Sequence, residues 1–176
     1  MTMKQDTSSV FDYNRGEEWS PEAVALRYQT YCHEFAWPHE RVLLPQVDPH
    51  DAVKRIGPIM DIVNDGIKAG DAACTEIGID FICDSRSFPF GMTLKSNTAR
   101  ALRKAGLCPR QLDRIRDRVA TMLLEGYLPQ EYKFYTRLLR RTGLGQYREA
   151  LLAIVPDRHR MTKYVQYVKL LAVAGC

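Results

Sequence analysis

At 176 residues, with 45% hydrophobic and 26% charged side chains, the chain is long enough to bury a core and too apolar to stay disordered. No apolar run approaches the roughly 20 residues of a membrane span. Residues 1–20, MTMKQDTSSVFDYNRGEEWS, carry acidic groups and lack the apolar stretch of a secretory leader, so the expectation is a cytoplasmic protein with no membrane partner.

The net charge of +4 is the difference between two unlike halves. Residues 1–94 carry eight Lys/Arg against fifteen Asp/Glu, and residues 95–176 carry seventeen against six. Such a split bears on partners rather than on fold. It also allows salt-sensitive self-association, acidic half on basic half. The five cysteines, Cys32, Cys74, Cys83, Cys108 and Cys176, are odd in number and irregularly spaced. They read as free thiols, with Cys74, Cys83 and Cys108 among apolar neighbours.

Residues 1–19 read as an N-terminal arm or strap, held by Phe11, Tyr13 and Trp19. Residues 20–176 read as a single all-α domain. Ser20 followed by Pro21 is an N-cap with proline at the first helical position, opening a helix to about Phe35. Pro38, Pro45 and Pro49 make the next stretch a connection. Asp48 or Asp51 starts a further helix, which Gly57-Pro58 kinks or ends. Another helix reaches Lys68. Asp71 caps the next, on which Ala73, Ile77, Phe81 and Ile82 share one face as far as about Cys83.

SRSFPFGM is a loop, after which Ser96 caps a short helix ending at Gly106. Pro109 opens a long helix ending at Gly126, and Pro129 opens one ending at Gly143. Segments Gln146–Val155 and Met161–Ala174 complete the chain; the spacing of the last suits a helix better than the strand its β-branched content would allow. The fold class is therefore all-α: stacked antiparallel helices, HEAT-like or an irregular helical bundle, of about eight helices. GLCPRQLDRI and GYLPQEYKFY superpose at a 20-residue offset, which either marks a structural repeat or reflects shared C-cap glycines and N1 prolines.

The candidate contact surface lies on the helices after Pro109 and Pro129. Leu112, Ile115, Val119, Met122 and Leu123 form an apolar stripe, which puts Arg110, Arg114 and Arg118 on the opposite face. Tyr132, Tyr135, Leu138 and Leu139 point inward on the following helix, leaving Lys133, Arg137, Arg140 and Arg141 outside. If the helices are neighbours, Arg110, Arg114, Arg118, Lys133, Arg137, Arg140 and Arg141 merge into one patch. Between Lys95 and Arg141 there are twelve basic and four acidic residues. Asp113 within reach of Arg110 and Arg116, and Asp117 of Arg114, offset part of that excess. Exposed pairs of this kind stabilise by only about 0.2–1 kcal/mol.

Three roles fit such a surface: a solvated helix exterior, an acidic protein partner, or the phosphate backbone of a nucleic acid. The primary expectation is a non-enzymatic protein-interaction module, with Tyr127 or Tyr132 as an aromatic anchor where exposed. The alternative is non-sequence-specific nucleic-acid binding through the same residues. A helix-turn-helix over 98–115 is weakened by bulky Leu102 and by the length of its second helix.

The pattern IDFICDSRSFPFGMTLKSNTARALRKAGLCPRQLDRIRDRV, with EGY and EYKFYTRLLRR after it, resembles a loose group of uncharacterised bacterial helical proteins, HEAT-like in build. It covers about residues 75–141. It rests on Phe81, Asp84, Phe88, Gly91, Lys95, Leu102, Gln111, Arg114, Arg116, Gly126 and Arg137. The resemblance implies an α-helical stack and adds no catalytic residue.

Catalytic and metal motifs are not found. Cys32, His33, His39 and Glu40 are poorly spaced for zinc, since adjacent helical residues diverge by about 100°. There is no nucleophile elbow, phosphate loop or dinucleotide fingerprint. Asp61/Asp65 and Asp80/Asp84 sit one turn apart and read as solvated carboxylates. No catalytic residue, metal or cofactor is expected.

Overall fold

The axis of the fold is a helix that is buried nearly all round. In the computed structural model, which describes residues 11–14, 17–38, 41–45, 47, 55–85 and 90–174, this helix is α3 (Ala72–Cys83), and every residue from Ala73 to Ile79 is buried. The periodicity of its sequence gave it one inner face. The structure gives it four neighbours, α1 (Pro21–Glu34), α2 (Ile59–Lys68), α4 (Gly91–Leu102) and α5 (Pro109–Leu124), all packed against it. Small residues permit this. A Cβ at Gly78 would meet Ile67 Cδ1 at 2.6 Å, so the glycine is what lets α2 approach.

The C-terminal half hangs on α5, which packs against α3 on one side and against α7 (Leu139–Thr142) and α8 (Arg148–Leu152) on the other. The short α6 (Tyr132–Tyr135) rests on α4, and α9 (His159–Val173) on α8. Apolar side chains from Trp19 to Ala172 form one continuous buried cluster. The architecture is all-α, an irregular helical bundle. Its extended structure among the described residues is slight: β1 (Phe11–Asp12) pairs in parallel with β2 (Arg55–Ile56), and Val47 bridges Ile56.

Many boundaries follow from local chemistry. The Ser20 hydroxyl accepts from Ala23 N–H at 3.2 Å and Asp71 from Cys74 N–H at 3.0 Å, each satisfying an orphaned first-turn donor. The α2 N-terminus lacks such a residue, because its N-cap is Pro58. Asn14 supplies the acceptor instead, taking Ile59 N–H at 2.6 Å and donating to Gly57 C=O at 2.9 Å. Trp19, also buried, donates to Asp84 at 2.7 Å and packs edge-on against Phe81 at 4.7 Å. The described part of the N-terminal stretch is thus tied to the helices; residues 1–10 and 15–16 lie outside the described residues.

Several expectations are corrected. Arg55–Ile56 is extended, so the helix expected up to Gly57 is absent there; residues 48–54 lie outside the described residues. Ser96 is not a cap. It sits inside α4 and donates to Met92 C=O, while the helix begins at Gly91 behind Phe90, whose φ is +57°. Residues 129–143 form no single helix: α6 and α7 are separated by tight turns in which Leu138 N–H bonds Tyr135 C=O and Leu139 N–H bonds Thr136 C=O. The Thr136 hydroxyl, bonding back to Lys133 C=O, competes with the helical ladder there. A regular repeat of α5 therefore does not form. Cys108 is exposed rather than packed among apolar groups, whereas Cys32 and Cys74 are buried.

Candidate functional site

Short helices leave carbonyls unsatisfied, and in the basic half arginines meet them. Arg141 reaches the end of α4 and donates to the carbonyls of Leu102 at 3.2 Å, Arg103 at 2.8 Å and Ala105 at 2.7 Å. Arg116 serves the end of α7 in the same way, bonding Thr142 C=O and Gly143 C=O while pairing with Asp113. Arg148 holds Ala172 C=O at 2.8 Å and Arg160 holds Pro129 C=O at 2.6 Å. Part of the basic excess is therefore taken up internally, by carbonyls at the ends of α4, α7 and α9 and in the turn before α6.

Arg114 is internal for a different reason. Its guanidinium bridges Glu76 and Asp80 of α3, at 2.6 Å each. Glu76, only 3% exposed, also accepts from Gln111 at 2.8 Å, and Asp80 accepts from the Tyr31 hydroxyl of α1. Burial opposes the charge on Arg114, but the hydrogen bond to Asp80 and the nearby Asp80 and Glu76 carboxylates raise its pKa above the ordinary arginine value. The cluster joins α1, α3 and α5. Asp80 is thus no solvated carboxylate, and neither is Asp84 under Trp19. Arg114 leaves the expected contact face because it finds two carboxylates on α3 instead of Asp117.

The other expected residues divide. Arg110 is exposed, 3.9 Å from Glu34 of α1. Arg118 is half-buried, its Nε shielded and without an acceptor. Lys133, Arg137 and Arg140 are exposed. The contacts of Arg110 and Arg114 are with α1 and α3, while Lys133 and Arg137 gather around Phe134 on the α4 side, so the seven residues do not form one patch. Tyr132 is buried and donates to Val119 C=O at 2.8 Å, which rules it out as an anchor; Tyr127 is exposed but lines a cleft with Leu124 and Val155.

What the structure does bring together is a different basic surface. Phe134 lies under three cations: Arg100 at 4.1 Å, Lys133 at 4.9 Å and Arg137 at 5.6 Å from its ring centroid. Arg100 belongs to α4; Arg103 and Lys104, three and four residues on, lie just past its end at Leu102 and line the same groove as Arg100. Among the described residues, no carboxylate pairs with Arg100, Arg103, Lys104, Lys133, Arg137 or Arg140. Each cation–ring contact at such a surface stabilises by about 0.5–1 kcal/mol. Mutual repulsion among the cations opposes this, and an incoming anion removes it.

The C-terminal end of α4 and the turn after it form one wall of a groove of about 560 Å³. Asn97, Arg100, Arg103 and Lys104 stand on that wall; Asp61, Asn64, Asp65 and Lys68 of α2 face them. Lys68 pairs with Asp65 at 2.8 Å, and Arg100 donates to Asn97 at 2.8 Å. Burial, and then the Asp65 charge, push the Asp61 carboxyl above its usual range against the pull of Lys68. Asn64 is 3% exposed, and neither its Nδ2 nor its Oδ1 has a hydrogen-bond partner among the described residues.

Sequence reasoning missed Arg100, Arg103, Lys104, Phe134 and Asn64. The i, i+3, i+4 spacing of Arg100, Arg103 and Lys104 was the available signal; nothing local marks Asn64. Cys32 is buried and His33 exposed, while His39 and Glu40 lie outside the described residues. No described helix is long and apolar enough to cross a membrane. Comparison with protein-family models, curated proteins and solved structures gives no match, so the functional reading rests on this chain's own geometry.

Proposed function

We propose that this chain is a non-enzymatic protein-interaction module that binds an acidic segment of a partner protein at the corner of α4 and α6. The observation that carries the reading is the convergence of Arg100, Lys133 and Arg137 on Phe134, without a carboxylate partner among the described residues. Arg103 and Lys104 extend the same positive surface. Charge complementarity of this kind sets partner choice and association rate more than raw affinity.

The alternative reading, a phosphate backbone on the same cations, is less well supported. The facing wall carries Asp61 and Asp65, which repel a uniformly charged polyanion. A polypeptide can present carboxylates to one wall and neutral or basic groups to the other.

The test is fluorescence anisotropy with a labelled glutamate-rich peptide and, separately, labelled duplex and single-stranded DNA, at about 50 and 200 mM salt. The expected result is peptide binding that weakens with salt and is lost in the Arg100→Glu/Arg137→Glu variant. DNA binding by the same cations, with no peptide binding, would hand the surface to nucleic acid.

A further inference from the structure

Among the described residues, four side chains hold shielded polar atoms without a hydrogen-bond partner: Arg41, whose Nε lies 3.6 Å from Asp71, Asn64, Arg118 and Tyr135. A shielded polar group left unmatched is costly, so each calls for an explanation. Asn64 stands apart from the others. Both ends of its amide, a donor and an acceptor, are unmatched, and it is the one of the four that lines the α2–α4 groove. The larger cleft of about 710 Å³ beside Tyr127, Val155 and Met161 is lined by none of the four.

We infer that the α2–α4 groove holds a length of polypeptide main chain, with the Asn64 amide exchanging a donor and an acceptor with the N–H and C=O of one extended residue. The chemistry matches in kind. In an extended chain each residue presents its N–H and its C=O to the same edge, and a carboxamide is complementary to that pair. Arg100, Arg103 and Lys104 on one wall then receive acidic side chains of the bound segment. Asp61, Asp65 and Lys68 on the other wall suit neutral or mixed-charge side chains.

The Asn64 amide atoms are shielded in the free protein, so entry shifts a wall side chain. The walls are suited to this: Asp61, Asp65, Lys68, Arg100, Arg103 and Lys104 are all exposed. The groove's volume is that of an ordinary ligand site. This inference rests on the acidic-partner reading and adds that the ligand's backbone, not only its charge, is recognised.

The experiment separates the two. A labelled peptide alternating glutamate with glycine is titrated into the full chain. It is compared with an equally charged peptide of the same sequence methylated at every backbone nitrogen, and with a polyacrylate oligomer of the same charge, which has no amide at all. The wild-type chain is expected to bind the glycine peptide about tenfold more tightly than either control. Asn64→Leu is expected to bring the glycine peptide down to the level of the controls while leaving polyacrylate binding unchanged. Equal binding of all three ligands by the wild-type chain overturns backbone recognition and keeps the charge reading. A glycine-peptide preference that survives Asn64→Leu removes Asn64 from the site. Binding of none of them overturns the acidic-partner reading as well.

Discussion

Replacing Asn64 with leucine should make the protein more stable. The side chain is 3% exposed and both amide atoms lack hydrogen-bond partners among the described residues, so folding strips water from the amide without a protein hydrogen bond from them in return. An unsatisfied buried polar group costs about 1–3 kcal/mol. Leucine has nearly the same branched shape, and burying it contributes about 1.5–3 kcal/mol. Overpacking at a site shaped for asparagine opposes this by about 1–3 kcal/mol. The net expectation is a gain of about 2 kcal/mol. In a chain of this size that corresponds to roughly 4–8 °C in Tm.

Equilibrium urea unfolding is the assay: the midpoint should rise with the slope unchanged. Asn64→Asp serves as the control, because a carboxylate placed there adds an unpaired charge near Asp61 and Asp65 and should destabilise by about 3 kcal/mol or more. A midpoint that falls for Asn64→Leu would mean the amide does have partners in the folded chain, and the case for a site at Asn64 would go with it. A stabilised Asn64→Leu that loses peptide selectivity would place the residue among groups kept at a cost to stability.

Three further outcomes are expected. Arg114→Ala should cost about 3–5 kcal/mol, because Glu76 is left buried and charged; adding Glu76→Gln should recover part of that loss, as a double-mutant cycle by urea unfolding would show. Arg141→Ala should destabilise by about 1.5–3 kcal/mol through the carbonyls at the end of α4, and peptide affinity measured by anisotropy should change by less than about twofold. Burial first of all pushes the Tyr28, Tyr132 and Tyr135 hydroxyls well above the usual tyrosine value, with Asp71 adding to the effect at Tyr28. Their contribution is therefore full below about pH 10 and falls as pH rises beyond it, by up to about 1.4 kcal/mol per tyrosine per pH unit. Urea midpoints at pH 9 and 11, with tyrosinate absorbance followed alongside, would test this.

The fold was legible where the signal is local. Ser20-Pro21, Asp71, Pro109 and Gly126 mark helix ends through caps and φ preferences that act within a few residues, and the structure places helix ends at or next to each. It was not legible where a distant partner decides. Asn14 completes the start of α2 across 45 residues, and Arg114 turns to α3 because Glu76 and Asp80 are there. Charge counting had the same weakness. It treated arginines as surface groups, yet Arg116, Arg141 and Arg148 answer carbonyls at helix ends brought near them only by the fold, and Arg160 reaches Pro129 C=O in the turn before α6. The basic surface that remains is built by α4 and α6, and its center, Phe134, has no distinguishing pattern in sequence.

The central claim is that an acidic polypeptide sits on this particular surface. An amide-resolved NMR titration of the labelled chain with the glutamate–glycine peptide tests it most directly. Shifts confined to residues 61–68, 97–104 and 133–137, weakening as salt rises, are the predicted result. Shifts centred on the Tyr127–Met161 cleft or on α9, with residues 97–104 and 133–137 unmoved, would contradict it.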